Sequence, residues 1–113
     1  MESQLELLDE LKEYTTEFNQ ELSDTMGAFN TFRDAVYEDG ALSHKAKRLI
    51  ALGIALRAGC TGCILAQTGA AVEAGATKAE VLEAVSVAVV MGGTPARGWA
   101  WRVVKLLKEL GKW

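Results

Sequence analysis

The sequence predicts a single all-helical (all-α) domain, and three observations support this prediction. Apolar residues recur at spacings of three, four and seven in the first part of the chain, which is typical of an amphipathic helix. Residues that start and end helices divide the remainder into segments of helical length. A chain of 113 residues suffices for one hydrophobic core but not for two. We therefore expect one domain over residues 1–113, built from six helices.

Two amphipathic helices are predicted first. One runs from Ser3 to about Glu21 and places its leucines and a phenylalanine on one face. The second begins after a break near Ser23 and ends at residues 39–40. Its predicted buried face consists of Phe29, Phe32, Val36 and Tyr37. Each apolar stripe requires a packing partner.

The third and fourth predicted helices flank a pair of cysteines. Ser43 can accept a hydrogen bond from a free backbone N–H group of a first turn, so a helix is expected over residues 44–58. Gly59 stands where a left-handed, helix-ending residue is expected, and the next helix begins directly afterwards. The fourth helix is predicted over residues 61–74, so Cys60 and Cys63 lie just after one helix end and at the start of the next helix.

A capping box opens the fifth predicted helix. The Thr77 hydroxyl and the Glu80 carboxylate can each satisfy a backbone donor of the first turn. The β-branched run at residues 85–90 is also typical of a strand, but the capping box and the early acidic residues favour a helix. After a pair of glycines, Thr94 followed by Pro95 is expected to cap the sixth helix.

Composition excludes several classes of protein. Half of the residues are hydrophobic and 24% are charged, with a formal net charge of −3, which is typical of a globular protein. Lysine and arginine form no dense cluster, so neither nucleic acid nor a membrane surface is expected as a partner. The longest apolar stretch, residues 49–64, is shorter than the roughly 20 residues of a membrane span. The N-terminus does not resemble a signal peptide, so a cytoplasmic location is expected.

The third and fifth helices predict self-association. Both are apolar nearly all round, and a helix of this kind has to be covered on most of its faces. One small domain can hardly supply that cover. We therefore expect a homo-oligomer that buries these two helices, with the amphipathic ends of the chain as further interface elements.

The cysteine pair is the feature of the sequence that is best suited to chemistry. A cysteine attacks peroxides or disulfides as the thiolate, and a helix N-terminus favours that anion. The spacing brings Cys60 and Cys63 to one side of the first turn, close enough to form a disulfide. Two alternatives stay open. Both cysteines could be buried as small hydrophobic residues, or they could bind zinc with ligands from another subunit, because His44 is the only histidine.

Four segments, in this order, resemble the carboxymuconolactone decarboxylase family and its alkylhydroperoxidase D-like branch. They read LSHKAKRLIAL (42–52), GCTGC (59–63), AGATKAEVLEA (74–84) and MGGTPA (91–96), and they span about half of the chain. The resemblance implies an all-helical fold that assembles as homotrimers or homohexamers. It also implies thiol-dependent reduction of hydroperoxides by the cysteine pair. We expect a small hydroperoxide or disulfide as the substrate, an external thiol as the reductant and no cofactor.

The resemblance also identifies the two positions of a proton relay. In the cysteine-pair branch a glutamate lies twelve residues before the first cysteine and a histidine four residues after the second. Arg48 and Gln67 occupy these positions here, and neither residue can abstract a proton. Our hypothesis is that Arg48 and the helix N-terminus stabilise the thiolate instead. The alternative for Arg48 is an ion pair at the surface or at an interface.

Three further residues are candidates for the same region. His44 lies one turn before Arg48 on the same helix face, although a solvent-exposed position is the more expected one. Trp99 and Trp101 could line a substrate cleft, but residues of this type more often anchor packing or interfaces.

The identity of the attacking cysteine stays open at this point. The resemblance favours Cys63, which lies one turn before Gln67, whereas proximity to the helix N-terminus favours Cys60. Three functions are therefore compared: a thiol oxidoreductase, a decarboxylase-like enzyme of the same family, and a non-catalytic oligomeric binding protein that has lost the relay. The cysteine pair favours the first, and the exchanged relay residues favour the third.

Overall fold

Helices alone form the regular secondary structure of residues 2–113, the part of the chain that the computed structural model describes. They are α1 (Gln4–Glu21), α2 (Ser23–Val36), α3 (His44–Ala58), α4 (Thr61–Glu73), α5 (Lys78–Gly92), α6 (Thr94–Arg97) and α7 (Ala100–Glu109). The predicted six-helix, all-α fold is confirmed by the six helices of ten residues or more. The predicted last helix corresponds to the four-residue α6 together with α7, because the structure divides it at residues 98–99.

Side chains cap the helices at most of the predicted positions. Ser43 and Thr77 each accept a hydrogen bond from the N–H group three residues later, at 3.0 and 3.1 Å. Glu80 completes the predicted capping box. The start of α6 differs from the prediction, because Thr94 is already helical and Gly93 is the cap residue. Gly93 has a φ of 69°, a left-handed conformation that glycine adopts without strain.

The main core lies between α3, α4, α5 and α7. Its fully buried side chains are Leu52, Leu56, Ile64, Val81, Val103 and Leu107. A smaller cluster, formed by Leu8, Leu65 and Leu106, joins the first half of α1 to α4 and α7. Because α4 contributes to both clusters, its N-terminal end is fixed relative to the rest of the fold.

Glu109 fastens the start of α1 to the end of α7. Its carboxylate accepts hydrogen bonds from the Ser3 hydroxyl at 2.6 Å and from the backbone N–H groups of Leu5 and Gln4 at 2.8 and 3.0 Å. These bonds, with the one from Ser3 as the largest cause, lower the pKa of Glu109 from its usual value of 4.5.

A Glu109→Gln variant is expected to unfold at a lower temperature than the wild type at neutral pH. Because the folded-state pKa is lowered, the carboxylate contributes its full stabilisation of the fold above its usual pKa of 4.5. This contribution is lost as the pH falls through the folded-state pKa of Glu109, which lies below 4.5. Thermal unfolding from neutral pH to about pH 3 measures the effect, and the two proteins should converge at acidic pH. A difference in unfolding temperature between the two proteins that does not change with pH would argue against the assigned role of Glu109.

The predicted buried face of α2 is exposed in the single chain, so that prediction is wrong for three of its four residues. Phe29, Phe32 and Val36 are 56, 67 and 46% exposed, and α2 contains no buried residue. Tyr37, which follows the helix, is half-buried. Helical periodicity identifies an apolar face but does not show what covers it. Here α2 packs mainly against the adjoining α1.

An apolar groove lies between α3 and α5. Its volume is 630 Å³, and its walls include Ile50, Ile54, Val87 and Met91, which are all exposed. The apolar outer faces predicted for these two helices are therefore present, and a single chain leaves them uncovered. Within residues 2–113, no helix combines the length and the apolar character that crossing a membrane requires.

Candidate redox site

Two sulfur atoms meet at the start of α4. Cys60 and Cys63 form a disulfide, with their Cα atoms 5.3 Å apart. Cys60 is the N-cap residue of α4, and its Sγ accepts a hydrogen bond from the backbone N–H of Cys63 at 3.2 Å. Cys63 is exposed and Cys60 is half-buried. The Cys60 sulfur is therefore hydrogen-bonded to the helix terminus, and Cys63 is exposed to solvent.

Two glycines allow this segment to pack closely against other parts of the chain. Gly59 ends α3 in a left-handed conformation with a φ of 71°. A Cβ atom there would lie 3.1 Å from the indole Nε1 of Trp99, and one at Gly62 would lie 2.9 Å from Cδ1 of Leu11. Both distances are shorter than ordinary carbon contacts. Gly62 therefore allows α1 to pack closely against the start of α4.

Arg48 and Gln67 form a hydrogen bond between α3 and α4. The Nη1 of Arg48 donates to the Oε1 of Gln67 at 3.1 Å. On the other side, the guanidinium carbon of Arg48 lies 3.6 Å from the centroid of the Tyr37 ring, which is a cation–π contact. The two positions that the resemblance assigns to a proton relay are therefore in direct contact, and Tyr37 and Gln67 together hold the Arg48 side chain in place.

The positive charge of Arg48 forms no salt bridge within residues 2–113. Its Nε is buried and lacks a hydrogen-bond partner in the same part of the chain. Gln67 follows Cys63 by one helical turn, so their Cβ atoms are about 6 Å apart. Arg48 is therefore linked through the Gln67 side chain to the part of α4 that follows Cys63.

His44 lies in the same cleft as Arg48 and Tyr37. The cleft has a volume of 380 Å³ and is also lined by Asp34, Glu38 and Asp39. The Nδ1 of His44 is 2.7 Å from the Tyr37 carbonyl oxygen, which can only accept, so Nδ1 carries the hydrogen. His44 is half-buried rather than solvent-exposed. Within residues 2–113, no three His, Cys, Asp or Glu side chains form a group that could hold a metal ion.

The two tryptophans occupy different environments. Trp99 packs against the main core and beneath Gly59. Trp101 is 49% exposed, and the guanidinium carbon of Arg102 lies 4.6 Å from its ring centroid. Arg102 in turn donates from Nη1 to the Oε1 of Gln4 at 2.8 Å. These contacts support the packing interpretation for Trp99, whereas Trp101 lies half exposed beside Arg102.

Tyr37 is the site residue that sequence reasoning missed. Its place at the end of an apolar helical stripe predicts a core residue, whereas its ring contacts Arg48 eleven positions later. No local pattern reveals this contact, because it depends on how the segment between α2 and α3 turns back. A tyrosine and an arginine eleven residues apart are too common in sequences to predict such a contact.

The sequence model of the carboxymuconolactone decarboxylase family matches residues 23–106. The chain belongs to this family. A carboxymuconolactone decarboxylase family protein from Legionella pneumophila has a crystal structure with a TM-score of 0.89 and 31% sequence identity, covering 96% of this chain and 97% of that one. A family member from Thermotoga maritima, whose description raises a role in the antioxidative response, has a TM-score of 0.81 and 30% identity, with 90% of each chain covered.

Curated relatives of this carboxymuconolactone decarboxylase family member include two bacterial proteins. An uncharacterised protein of Cupriavidus necator is 32% identical over 108 residues, which are 89% of this chain and 96% of the relative. A protein encoded in the cox locus of Paracoccus denitrificans is 34% identical over 83 residues, covering 74% of this chain and 75% of the relative. The family resemblance inferred from the four sequence segments is therefore confirmed, and the cysteine pair fits the cysteine-pair type.

Proposed function

We propose that this carboxymuconolactone decarboxylase family member is a homo-oligomeric thiol oxidoreductase. Cys60 and Cys63 alternate between dithiol and disulfide while they reduce a hydroperoxide or a partner disulfide. The position of the pair carries the proposal, because the helix terminus binds one sulfur and solvent reaches the other. The antioxidative role raised for the Thermotoga maritima relative supports the same class of reaction.

The proposed reaction transfers two electrons from the cysteine pair to a hydroperoxide. The thiolate of one cysteine attacks a peroxide oxygen, the O–O bond breaks, and the alcohol leaves after taking up a proton. The second cysteine then attacks the resulting sulfenic acid, which forms the disulfide and releases water. An external thiol returns the pair to the dithiol by way of a mixed disulfide. Since such thiols are abundant in the cytoplasm, we place the reaction in that compartment.

Accessibility and helix capping support different roles for the two sulfurs. Cys63 is exposed, so a hydroperoxide or a thiol can reach it. The Cys60 sulfur accepts a first-turn N–H bond at the positive end of the α4 dipole, which stabilises negative charge on it. We therefore assign the attack on peroxide to Cys63. Cys60 forms the disulfide and leaves as a stabilised thiolate when an external thiol attacks Cys63.

Arg48 is proposed to supply charge stabilisation where the family's relay would supply a base. Tyr37 and Gln67 hold the guanidinium, which has no salt-bridge partner within residues 2–113, and Gln67 follows Cys63 by one helical turn. A nearby cation lowers the pKa of a thiol because it favours the thiolate. Gln67 orients Arg48 through its amide oxygen and moves no proton.

The reaction of the reduced protein with hydroperoxide tests the proposed function. Free thiols are titrated before and after one equivalent of a small alkyl hydroperoxide, in the presence and absence of dithiothreitol. We expect both thiols to disappear together and to return when the dithiol reductant is added. Thiols that stay unreacted would sink the oxidoreductase proposal.

Alkylation of the reduced pair with iodoacetamide tests the charge stabilisation separately. The rate is measured as a function of pH in the native protein and in unfolded protein in urea. We expect the midpoint of the native protein to lie below the ordinary thiol value of about 8.5 and the midpoint of the unfolded protein to lie near it. Equal midpoints would show that neither Arg48 nor the helix terminus activates the pair.

A Tyr37→Leu variant is expected to raise the alkylation midpoint, whereas Tyr37→Phe should leave it unchanged. Leucine removes the ring that holds the Arg48 guanidinium, while phenylalanine retains it. The main-chain carbonyl that His44 contacts is present in all three proteins. The same pH profile measures the effect, and circular dichroism checks the helical content. Identical midpoints for the two variants would separate Tyr37 from the chemistry of the pair.

A second candidate function is a non-catalytic, oligomeric binding protein. The hydrogen bond between Arg48 and Gln67 favours this candidate. The two residues at the relay positions bond to each other, and neither can transfer a proton. This candidate predicts thiols that react with neither a hydroperoxide nor a small disulfide. The thiol titration described above therefore distinguishes the two functions.

A further inference from the structure

Two apolar surfaces of this chain have no partner within it. The first, which we term the arm stripe, lies on the second half of α1 and on α2. It consists of large side chains that are 46–67% exposed, namely Tyr14, Phe18, Leu22, Phe29, Phe32 and Val36. On α2 the spacing of Phe29, Phe32 and Val36 places these three on one helix face. A helix with exposed anchors at i, i+3 and i+7 is typical of one that docks into a groove.

The second surface is the groove between α3 and α5. Four exposed apolar side chains, Ile50, Ile54, Val87 and Met91, form its walls, and Arg57 is its one charged lining residue within residues 2–113. The groove lining runs over residues 49–58 of α3 and 84–91 of α5, which is about 10–14 Å of helix, and the α2 face from Phe29 to Val36 is about 10 Å long. The groove therefore matches this face of α2 in length and in apolar character.

We propose that α2 of one copy of this chain lies in the α3–α5 groove of a second copy. The proposal rests on the homo-oligomer part of the proposed function and names its interface, but it does not depend on the redox reaction. A different protein seated in the groove would leave the arm stripe of this chain in water. A second copy covers the α2 part of the arm stripe and the groove at once, because each chain donates one helix and accepts another.

The apolar area available is sufficient for a stable interface. Large side chains that are about half exposed offer roughly 80–100 Å² each. Docking of α2 covers its three apolar side chains and the four groove walls, so these seven would bury about 560–700 Å² per copy. Specific, stable interfaces begin at about 600 Å² per partner. Because arm and groove are different surfaces, reciprocal exchange closes a two-fold dimer, and head-to-tail exchange closes a ring.

This docking would fix both sides of the redox site. Tyr37 follows directly after α2, and its ring holds Arg48. Arg57 and Ala58 of the groove directly precede Gly59 and the first cysteine. The docked helix would therefore restrain Tyr37 in the chain that donates it and cover the end of α3 in the chain that accepts it.

Charge introduced on either surface tests the proposal by light scattering coupled to size-exclusion chromatography. Wild type is expected at a multiple of the 12.2 kDa monomer mass. Phe32→Glu, in the arm stripe, and Ile54→Glu, in the groove, should each weaken self-association at least about tenfold, because a carboxylate would be buried without a partner. Leu42→Glu, at a half-exposed position outside both surfaces, is the matched control and should remain assembled. Circular dichroism checks that all variants are folded.

Mixing the two monomeric variants identifies the contact itself. The Ile54→Glu chain keeps an intact arm and the Phe32→Glu chain keeps an intact groove, so an equimolar mixture should form a heterodimer that neither variant forms alone. A mixture that stays monomeric, or variants that stay assembled, would overturn arm-in-groove docking while the homo-oligomer proposal stands. A monomeric wild type would overturn both. Thiol titration of the same samples reports on the redox function independently.

Discussion

A Cys63→Ser variant is expected to lose hydroperoxide reduction completely, whereas Cys60→Ser should react once and stop. Cys63 is the exposed cysteine, and we assign the attack on peroxide to it. The Cys63→Ser variant keeps only Cys60, which is half-buried and whose sulfur is hydrogen-bonded to the helix terminus. In Cys60→Ser the reaction halts at the Cys63 sulfenic acid, because no second thiol is present to form the disulfide. Serine is also a preferred N-cap residue, so this variant keeps the start of α4 and serves as the structural control.

Mass spectrometry after trapping with dimedone measures both outcomes. We expect one adduct per chain on Cys63 in the Cys60→Ser variant and none in the Cys63→Ser variant. An adduct on Cys60 instead would reverse the assigned roles of the two sulfurs. If both single-cysteine proteins stay unmodified, the pair does not attack peroxide, and the binding-protein function gains support.

Restoring titrating residues at the relay positions is expected to raise peroxidase turnover by about 10²-fold or more, the range typical of general acid–base catalysis. The variant is Arg48→Glu combined with Gln67→His. The 3.1 Å contact between the present side chains shows that groups at these two positions can hydrogen-bond. Gln67 lies one turn after Cys63, so an imidazole introduced there would be placed to take the proton of that thiol.

The single variants are the controls for this prediction. Arg48→Glu alone removes the cation and adds a carboxylate to a cleft that already contains Asp34, Glu38 and Asp39, so we expect slower turnover than in the wild type. Gln67→His alone keeps Arg48 and should change turnover by much less than the pair does. The gain of the double variant should therefore exceed the sum of the single effects. Turnover that does not rise would indicate a cleft reshaped for another substrate.

Local sequence signals predicted the helices because local interactions determine their ends. Ser43 and Thr77 cap helices with bonds to N–H groups three residues away, and Gly59 ends α3 through its own φ angle. The cysteine pair was placed correctly at a helix start for the same reason. The predicted cap at Thr94 is wrong by one residue, because Gly93, whose φ of 69° favours glycine, takes the cap position of α6.

The contacts of the site were less predictable because they join segments that are distant in sequence. The meeting of Arg48 with Gln67 was accessible only through the family resemblance. The contact of Tyr37 with Arg48 followed from no pattern at all. The apolar face of α2 was recognised correctly as a face that needs cover, but periodicity cannot distinguish cover by the same chain from cover by another copy.

The two glycines around the cysteine pair bear on protein engineering. Trp99, from the C-terminal part of the chain, packs against Gly59, and Leu11 of α1 packs against Gly62. Grafting Cys-Thr-Gly-Cys onto the start of a foreign helix would transfer the sulfurs but neither of these side chains. The recipient would carry a disulfide whose flanking backbone is unsupported. In this protein the redox motif is therefore a property of the whole chain, and a working transplant would have to include a leucine-bearing helix and an indole along with the four residues.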